Sequence, residues 1–307
     1  ILSKFNLLFF SILFDTPPTF EKYPLDQVGL NVYALADAAQ DKKFLKVLEH
    51  LRQKCLLTEA GGEKAREISP HLLQLPKDFT ALEWEWIEKN IAGTTKMTII
   101  ISPLSFDYLY KHLRQFLDVE FDGGLEMMLA FWDPAILATL VGHKADKTLY
   151  VQGPVFNPQQ IETLLKPIQS WWYWDRSGNL QGIFGLNERV ELLPSIETPL
   201  HFSSEQEEMM VEATFPDNLM YYLKLNNSFL VDKIDDDTLY QLVVKSIPKA
   251  RAYDLSGTRD ILNFICLKLI YKDQFESDHN LQYLLIHLKD KKFTMDQVMN
   301  NVMAKAE

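Results

Sequence analysis

Residues 96–101 read KMTIII and run directly into Ser102-Pro103. The apolar, β-branched run predicts a strand. Ser102 then reads as a helix N-cap, with proline at the first helical position, where a missing N–H costs nothing. A helix is expected through Leu109, Leu113 and Phe116. The same strand–cap–helix device recurs on both sides. Asn31–Ala36 (NVYALA) is a strand, and Asp37 with Gln40 forms a D-x-x-Q capping box before the apolar helical face Phe44, Leu45, Val47, Leu48 and Leu51. Thr80-x-x-Glu83 caps a short helix carrying Trp84, Trp86 and Ile87 that should end near Gly93. Glu126–Trp132 (EMMLAFW) reads as a third strand, turned by Asp133-Pro134 into a helix that stops at Gly142. Thr148–Phe156 is a fourth extended run, followed by Asn157-Pro158 and a helix through Ile161, Leu164 and Leu165. Strands alternating with helices imply an α/β lobe with a mixed, partly parallel sheet and flanking helices.

Trp171–Trp174 (WWYW), the turn residues 175–179 (DRSGN) and the run from Leu180 read as a hairpin, with Gly178 where a positive φ is cheap. Beyond it the character changes. Capping boxes at Ser204-x-x-Glu207 and Thr294-x-x-Gln297 frame helical stretches at about 204–214, 216–228, 236–246, 257–273, 279–288 and 295–305, and no convincing strand is found there. The expected organisation is an α/β lobe over residues 1–190, a linker over 191–202 and a small all-α lobe over 203–307. Residues 1–14 are strongly apolar but shorter than the ~20 residues of a spanning helix. They are expected to form a buried strand or short helix, with a signal or anchor as the lesser alternative.

The 307 residues carry 31 Lys+Arg against 42 Asp+Glu, a net charge of -11. That balance argues against a nucleic-acid clamp or a polybasic membrane binder, both of which need a cationic face to meet phosphate. Stable membrane insertion is not expected. Cys55 and Cys266 lie among apolar neighbours and read as small buried hydrophobes. The seven histidines are scattered without ligand spacing. Asp235-Asp236-Asp237 lacks calcium-loop spacing and reads as charge favoured at a helix start. Gly123-Gly124 precedes a strand, so it is a turn and not a phosphate loop. No nucleophile elbow, P-loop or dinucleotide fingerprint is present, and no cofactor or metal is expected.

One enzymatic constellation competes with a structural one. Asp37, Ser102, Asp133 and Asn157 should all sit just past the carboxyl ends of strands, the edge where open α/β sheets bind ligands. Asp37 and Asp133, with His112 nearby, would suit a metal-assisted hydrolase. Each of the four is also a good N-cap, and capping alone explains its residue type. The aromatic run Trp171, Trp172, Tyr173 and Trp174 is a second candidate. Alternate strand residues point to opposite faces, so one face is expected to be open to a partner, and Trp and Tyr are favoured interface anchors. Arg114 is expected to pair with an acid on a neighbouring element or to meet a partner.

Four motifs in order, YALADAA (Tyr33–Ala39), SPHLLQL (Ser69–Leu75), ISPLSFDYLYKHLRQFLDV (Ile101–Val119) and LAFWDPAILATLV (Leu129–Val141), resemble the type VI secretion adaptor family, the Tap/Tec effector chaperones and related VgrG-associated domain-of-unknown-function proteins. The resemblance spans about residues 30–175, and more loosely the helical remainder. His112, Leu113, Arg114, Phe131, Trp132, Asp133 and Pro134 match the family pattern. Ala130 stands where the family has arginine, so any role of that arginine does not transfer.

The resemblance implies a non-enzymatic adaptor in the bacterial cytoplasm. Such a protein binds a specific secreted effector or toxin, often through its N-terminal region, and helps load it onto the VgrG spike. It also implies an apolar groove with polar edges, expected at the junction of the two lobes. Phe131, Trp132, Asp133 and Pro134, with Asp37 and His112, are expected to serve architecture. A permanent structural component of a secretion assembly is a further alternative.

Overall fold

The computed structural model describes residues 29–57, 62–185 and 195–304. The expectations for residues 1–14 and for the first four residues of the linker fall outside them, and the end of the linker carries a strand, Leu200–Phe202. The chain divides into two compact units, Ile1–Met210 and Val211–Glu307.

The first unit is built on a six-stranded sheet. Its strands are β1 (Asn31–Asp37), β2 (Gln53–Cys55), β3 (Pro70–Leu75), β4 (Met97–Ser102), β7 (Ser170–Trp174) and β8 (Leu180–Phe184), in the order β2-β3-β1-β4-β7-β8. Every pair in it is antiparallel. A smaller sheet, β6 (Glu126–Met128), β5 (Asp118–Phe121) and β9 (Leu200–Phe202), holds the parallel pair, β5 with β9. The α/β class stands, but the parallel component lies in the small sheet. Both of its expected cues have another cause. Helical connections here return the chain beside its predecessor in the opposite sense. The continuous apolar runs arise because the large sheet is covered on both faces.

That double cover is visible in the alternation along each strand. Tyr33, Leu35, Ile100, Trp171 and Tyr173 join the core formed with α4 (Phe106–Arg114), α5 (Pro134–Val141) and α6 (Pro158–Leu165). Val32, Ala34, Ala36, Ile99, Ile101, Trp172 and Trp174 join the opposite core, with α1 (Lys43–Val47) and α3 (Leu82–Asn90). A short helix, α2 (Glu63–Arg66), precedes β3.

Several local expectations shift. Asp133 and Asn157 cap α5 and α6, each with proline at the start, and Asn157 with Gln160 makes a capping box. Gly142 ends α5 at φ 70, a left-handed geometry that favours glycine. Ser102, however, is the last residue of β4, and α4 begins three residues beyond Pro103, after Ser105. The Ser102 hydroxyl instead donates to Pro167 O at 2.6 Å and accepts from Leu104 N. Asp37 caps a turn, accepting from Ala39 N at 2.9 Å and from the Gln40 side chain, while α1 starts only at Lys43. Thr80 serves a turn with Asp78, and Ala81 precedes α3. The third run is a strand only over Glu126–Met128, and Thr148–Phe156 is irregular.

The second unit is helical. It contains the rest of α7 (Ser204–Asn226), then α8 (Ser228–Val231), α9 (Asp236–Arg251), α10 (Thr258–Tyr271), α11 (His279–Lys289) and α12 (Met295–Met303). Pro216 and Pro248 lie inside α7 and α9, so the expected break at Pro216 is absent. The capping box at the start of α7 is shifted by one residue, to Ser203 with Gln206. Thr294 with Gln297 caps α12 as read. Asp235 caps α9, and Asp236 pairs with Lys224 at 2.6 Å, so the acidic run serves a helix start. Cys55 and Cys266 are free and buried. No helix among the described residues is long and apolar enough to cross a membrane.

The β7–β8 pairing needs a residue without a side chain opposite Trp172. A Cβ on Gly182 would lie 2.7 Å from the Trp172 ring, which is fully buried and cannot retreat. Gly182→Ala is expected to cost about 1–3 kcal/mol in urea unfolding, the usual scale of overpacking. An unchanged midpoint would show that the ring has room.

Candidate functional site

The antiparallel topology separates the residues that the enzymatic reading placed together. Asn31 pairs with Ser102, so Asp37, six residues on, lies at the other end of the sheet, roughly 20 Å away at ~3.4 Å per residue. Asp37 and Asp133 do stay close. Burial lifts the Asp133 carboxyl above the ordinary aspartate range and the Asp37 charge adds a smaller push, against the opposing backbone N–H bonds from Ile136 and Ala135 and the positive charge of Arg176. Asp133 Oδ1 accepts from Ala135 N at 2.8 Å and Ile136 N at 3.1 Å. Both carboxylates therefore hold backbone, one in a turn and one at a helix start. Among the described residues, no group of three or more His, Cys, Asp and Glu is placed to hold a metal ion.

His112 is fully buried on α4. Its Nε2 lies 2.9 Å from Leu164 O. A carbonyl only accepts, so Nε2 carries the proton and the Nδ1 lone pair is left bare, with no partner in a buried setting. The ring meets Phe116 edge-on at 5.5 Å. Burial drives its pKa down to about 4. It ties α4 to α6 as a neutral group.

The aromatic run is core. Trp171, Trp172, Tyr173 and Trp174 are 0–3% exposed. The expectation of an open aromatic face is corrected: the strand does alternate, but helices cover both sides. The indole N–H groups of Trp171 and Trp172 donate to Thr98 Oγ1 and Ser170 Oγ, both at 2.8 Å. Tyr173 O–H donates to buried Asp146, which also accepts from Thr148 N and Oγ1. Phe131 and Trp132 are likewise buried, beside the Asp133-Pro134 cap.

Arg114 lies elsewhere, on an open groove of about 760 Å³ between α4 and the edge strand β2, lined by Lys54, Asp107, Tyr110, Lys111, Arg114, Gln115, Asp118 and Thr198. Two of its three cations, Lys54 and Arg114, lie over the Tyr110 ring. Lys54 Nζ is 4.0 Å from the Tyr110 centroid, and the Arg114 guanidinium is 5.9 Å from it. Just outside, Arg52 stands 4.5 Å over Phe106 and pairs with Asp107 at 2.8 Å. Tyr110 is itself fixed by its O–H to Cys55 O at 2.9 Å. The result is a row of held cations on a chain that is acidic as a whole, a surface suited to a polar or acidic strip of another polypeptide. Lys54, Tyr110 and Lys111 were not singled out by sequence reasoning. The Tyr110/Arg114 spacing of four residues, a cation one turn beyond an aromatic, was the available signal.

Two outcomes follow from this geometry. The folded His112 pKa lies below the ordinary histidine value near 6.5, so at pH above that value it contributes no pH dependence. As pH falls from 6.5 to about 4, the unfolded chain takes up a proton that the native state refuses. Stability should then drop by roughly 2–4 kcal/mol in acid unfolding. His112→Gln keeps a donor for Leu164 O and should flatten this slope; an unchanged slope would refute the assignment. Asp133→Ala should lose about 1–2 kcal/mol in urea, whereas Asp133→Asn, itself a good N-cap, should lose much less. Equal losses would mean the charge, and not the cap, is what matters.

Residues 32–149, from β1 to beyond α5, match the model of a family described as "Domain of unknown function (DUF4123)". The match contains His112, Arg114, Asp133 and all but Thr198 of the groove lining. No curated protein and no solved structure matches the chain.

Proposed function

We infer that this protein is an adaptor that binds a specific type VI secretion effector in the bacterial cytoplasm and helps deliver it to the VgrG spike. The observation that carries the reading is the match of residues 32–149 to a domain known in type VI secretion adaptor and chaperone proteins, together with the four ordered motifs of the same span. The α4–β2 groove supports it physically. Lys54 and Arg114 already lie over Tyr110 in the free protein, so less of their side-chain freedom remains to be lost on binding. Arg114, expected from sequence to meet a partner, lies in it. The aromatic run is buried and lines no part of this groove.

Electrostatics of this kind set the encounter rate more than the final affinity. The adaptor therefore engages its cargo quickly.

The test is capture of the tagged full-length chain from its source cells at low and moderate salt, read by mass spectrometry. The expected result is recovery of a secreted effector and the spike protein, with recovery falling about tenfold in the double variant Lys54→Glu/Arg114→Glu while the fold, read by circular dichroism, is kept. Retention of neither the effector nor the spike under any condition would overturn the reading.

A further inference from the structure

Among the described residues, the small sheet ends at β6, whose outer edge pairs with no other strand. β6 pairs with β5 through Asp118↔Met128, Val119↔Met127 and Glu120↔Glu126. Leu129 N donates to Leu117 O and Phe121 N to Leu125 O. In an antiparallel ladder, hydrogen-bonded and non-hydrogen-bonded pairs alternate. Those two bonds make Val119–Met127 a bonded pair and leave Glu126 and Met128 in non-bonded ones. The N–H and C=O groups of Glu126 and Met128 therefore point away from β5, toward the free edge.

The two faces of this ladder differ in chemistry. One carries Val119 and Phe121, which are buried, and continues outward through Met127 and Leu125, which are 53% and 57% exposed. An apolar surface is thus begun by β5 and left unfinished at β6. The other face carries Asp118, Glu120, Glu126 and Met128. Glu120 stands directly opposite Glu126, and neither has an ion-pair partner among the described residues. Like charges directly opposite on a sheet are destabilising. His201, on the same face of β9, is taken by Asp122 at 3.0 Å.

We propose that the free edge of β6 receives an extended segment of a partner protein whose residues alternate between apolar and cationic. Added as a fourth strand, such a segment takes the outward N–H and C=O groups of Glu126 and Met128 into its own ladder. Its apolar residues complete the Met127–Leu125 face, and its Lys or Arg residues fall beside Glu126 and relieve the repulsion with Glu120. A second copy of this chain fits poorly. Pairing β6 with β6 would bring two such glutamate pairs onto one sheet, on chains of net charge -11 each. Asp118 lies both on this ladder and in the groove that holds Arg114, so the edge and the groove adjoin. The inference rests on the adaptor reading for its partner class only.

The probes are three fluorescein-labelled octapeptides added to the full-length chain: alternating Val-Lys, alternating Val-Glu, and the Val-Lys composition in two blocks of four. The alternating Val-Lys peptide should bind about tenfold or more tightly than either other peptide by anisotropy. Met128→Pro removes an outward N–H without touching the β5 ladder, and should cost a similar factor while the thermal midpoint is kept. Glu120→Lys/Glu126→Lys should reverse the order of the Lys and Glu peptides. Equal binding of the three peptides, or an unaltered Met128→Pro protein, overturns the proposal. So does a dimer in sedimentation that Met128→Pro dissociates, since a second copy would then occupy the edge. Peptide binding without effector capture would leave this proposal standing and remove the adaptor reading; the converse would do the opposite.

Discussion

The first unit depends on burying one antiparallel sheet on both faces. β4 is buried at all six positions and β7 at all five. Each buried large side chain is worth about 1.5–3 kcal/mol relative to exposure, and the alternating pairs Trp171/Tyr173 and Trp172/Trp174 feed such contributions into one core and the other in turn. The same burial dictates where polar groups go. Trp N–H and Tyr O–H groups must find partners inside, and they do, in Thr98, Ser170 and Asp146. It also moves function outward. A sheet with two covered faces has only its ends, its edge strands and its covering helices left to meet another molecule.

Those remaining surfaces are charged in an ordered way. At one end, Asp37, Asp133 and Arg176 share a field and the carboxylates stabilise backbone N–H groups. Beside the edge strand β2, Lys54, Lys111 and Arg114 make a local cationic strip on an acidic chain. On the small sheet, Glu120 faces Glu126 next to exposed Leu125 and Met127. On the proposed reading, a cationic strip adjoining an anionic, apolar edge would select a partner by charge pattern as well as by shape.

Much of this was legible in the sequence where local chemistry decides the structure. Asp133-Pro134, Asn157-Pro158, Gly142, Thr294 with Gln297, and the 175–179 turn all act within a few residues, and they fold as read. Strand direction was not legible. A helix between two strands is compatible with either sense, and only the tertiary pairing of β1 with β3 and β4 chooses. Ser102 was misplaced for a related reason: its hydroxyl finds Pro167 O, a partner 65 residues away, before it can cap a helix. The aromatic run carried the right period and the wrong consequence. Alternation says that two faces exist, but whether one is open depends on how many helices cover the sheet. The groove was hidden because Lys54 and Arg114 are distant in sequence and meet only through Tyr110.

The most direct test of a polypeptide-binding role for these outer surfaces is amide hydrogen exchange on the full-length chain, alone and saturated with any protein that the capture experiment recovers. The Glu126 and Met128 amides, which point away from β5 in the free protein, should become protected together, while Met127, already bonded to β5, should change little. A stable complex in which the Glu126 and Met128 amides keep exchanging at their free rates would contradict that role.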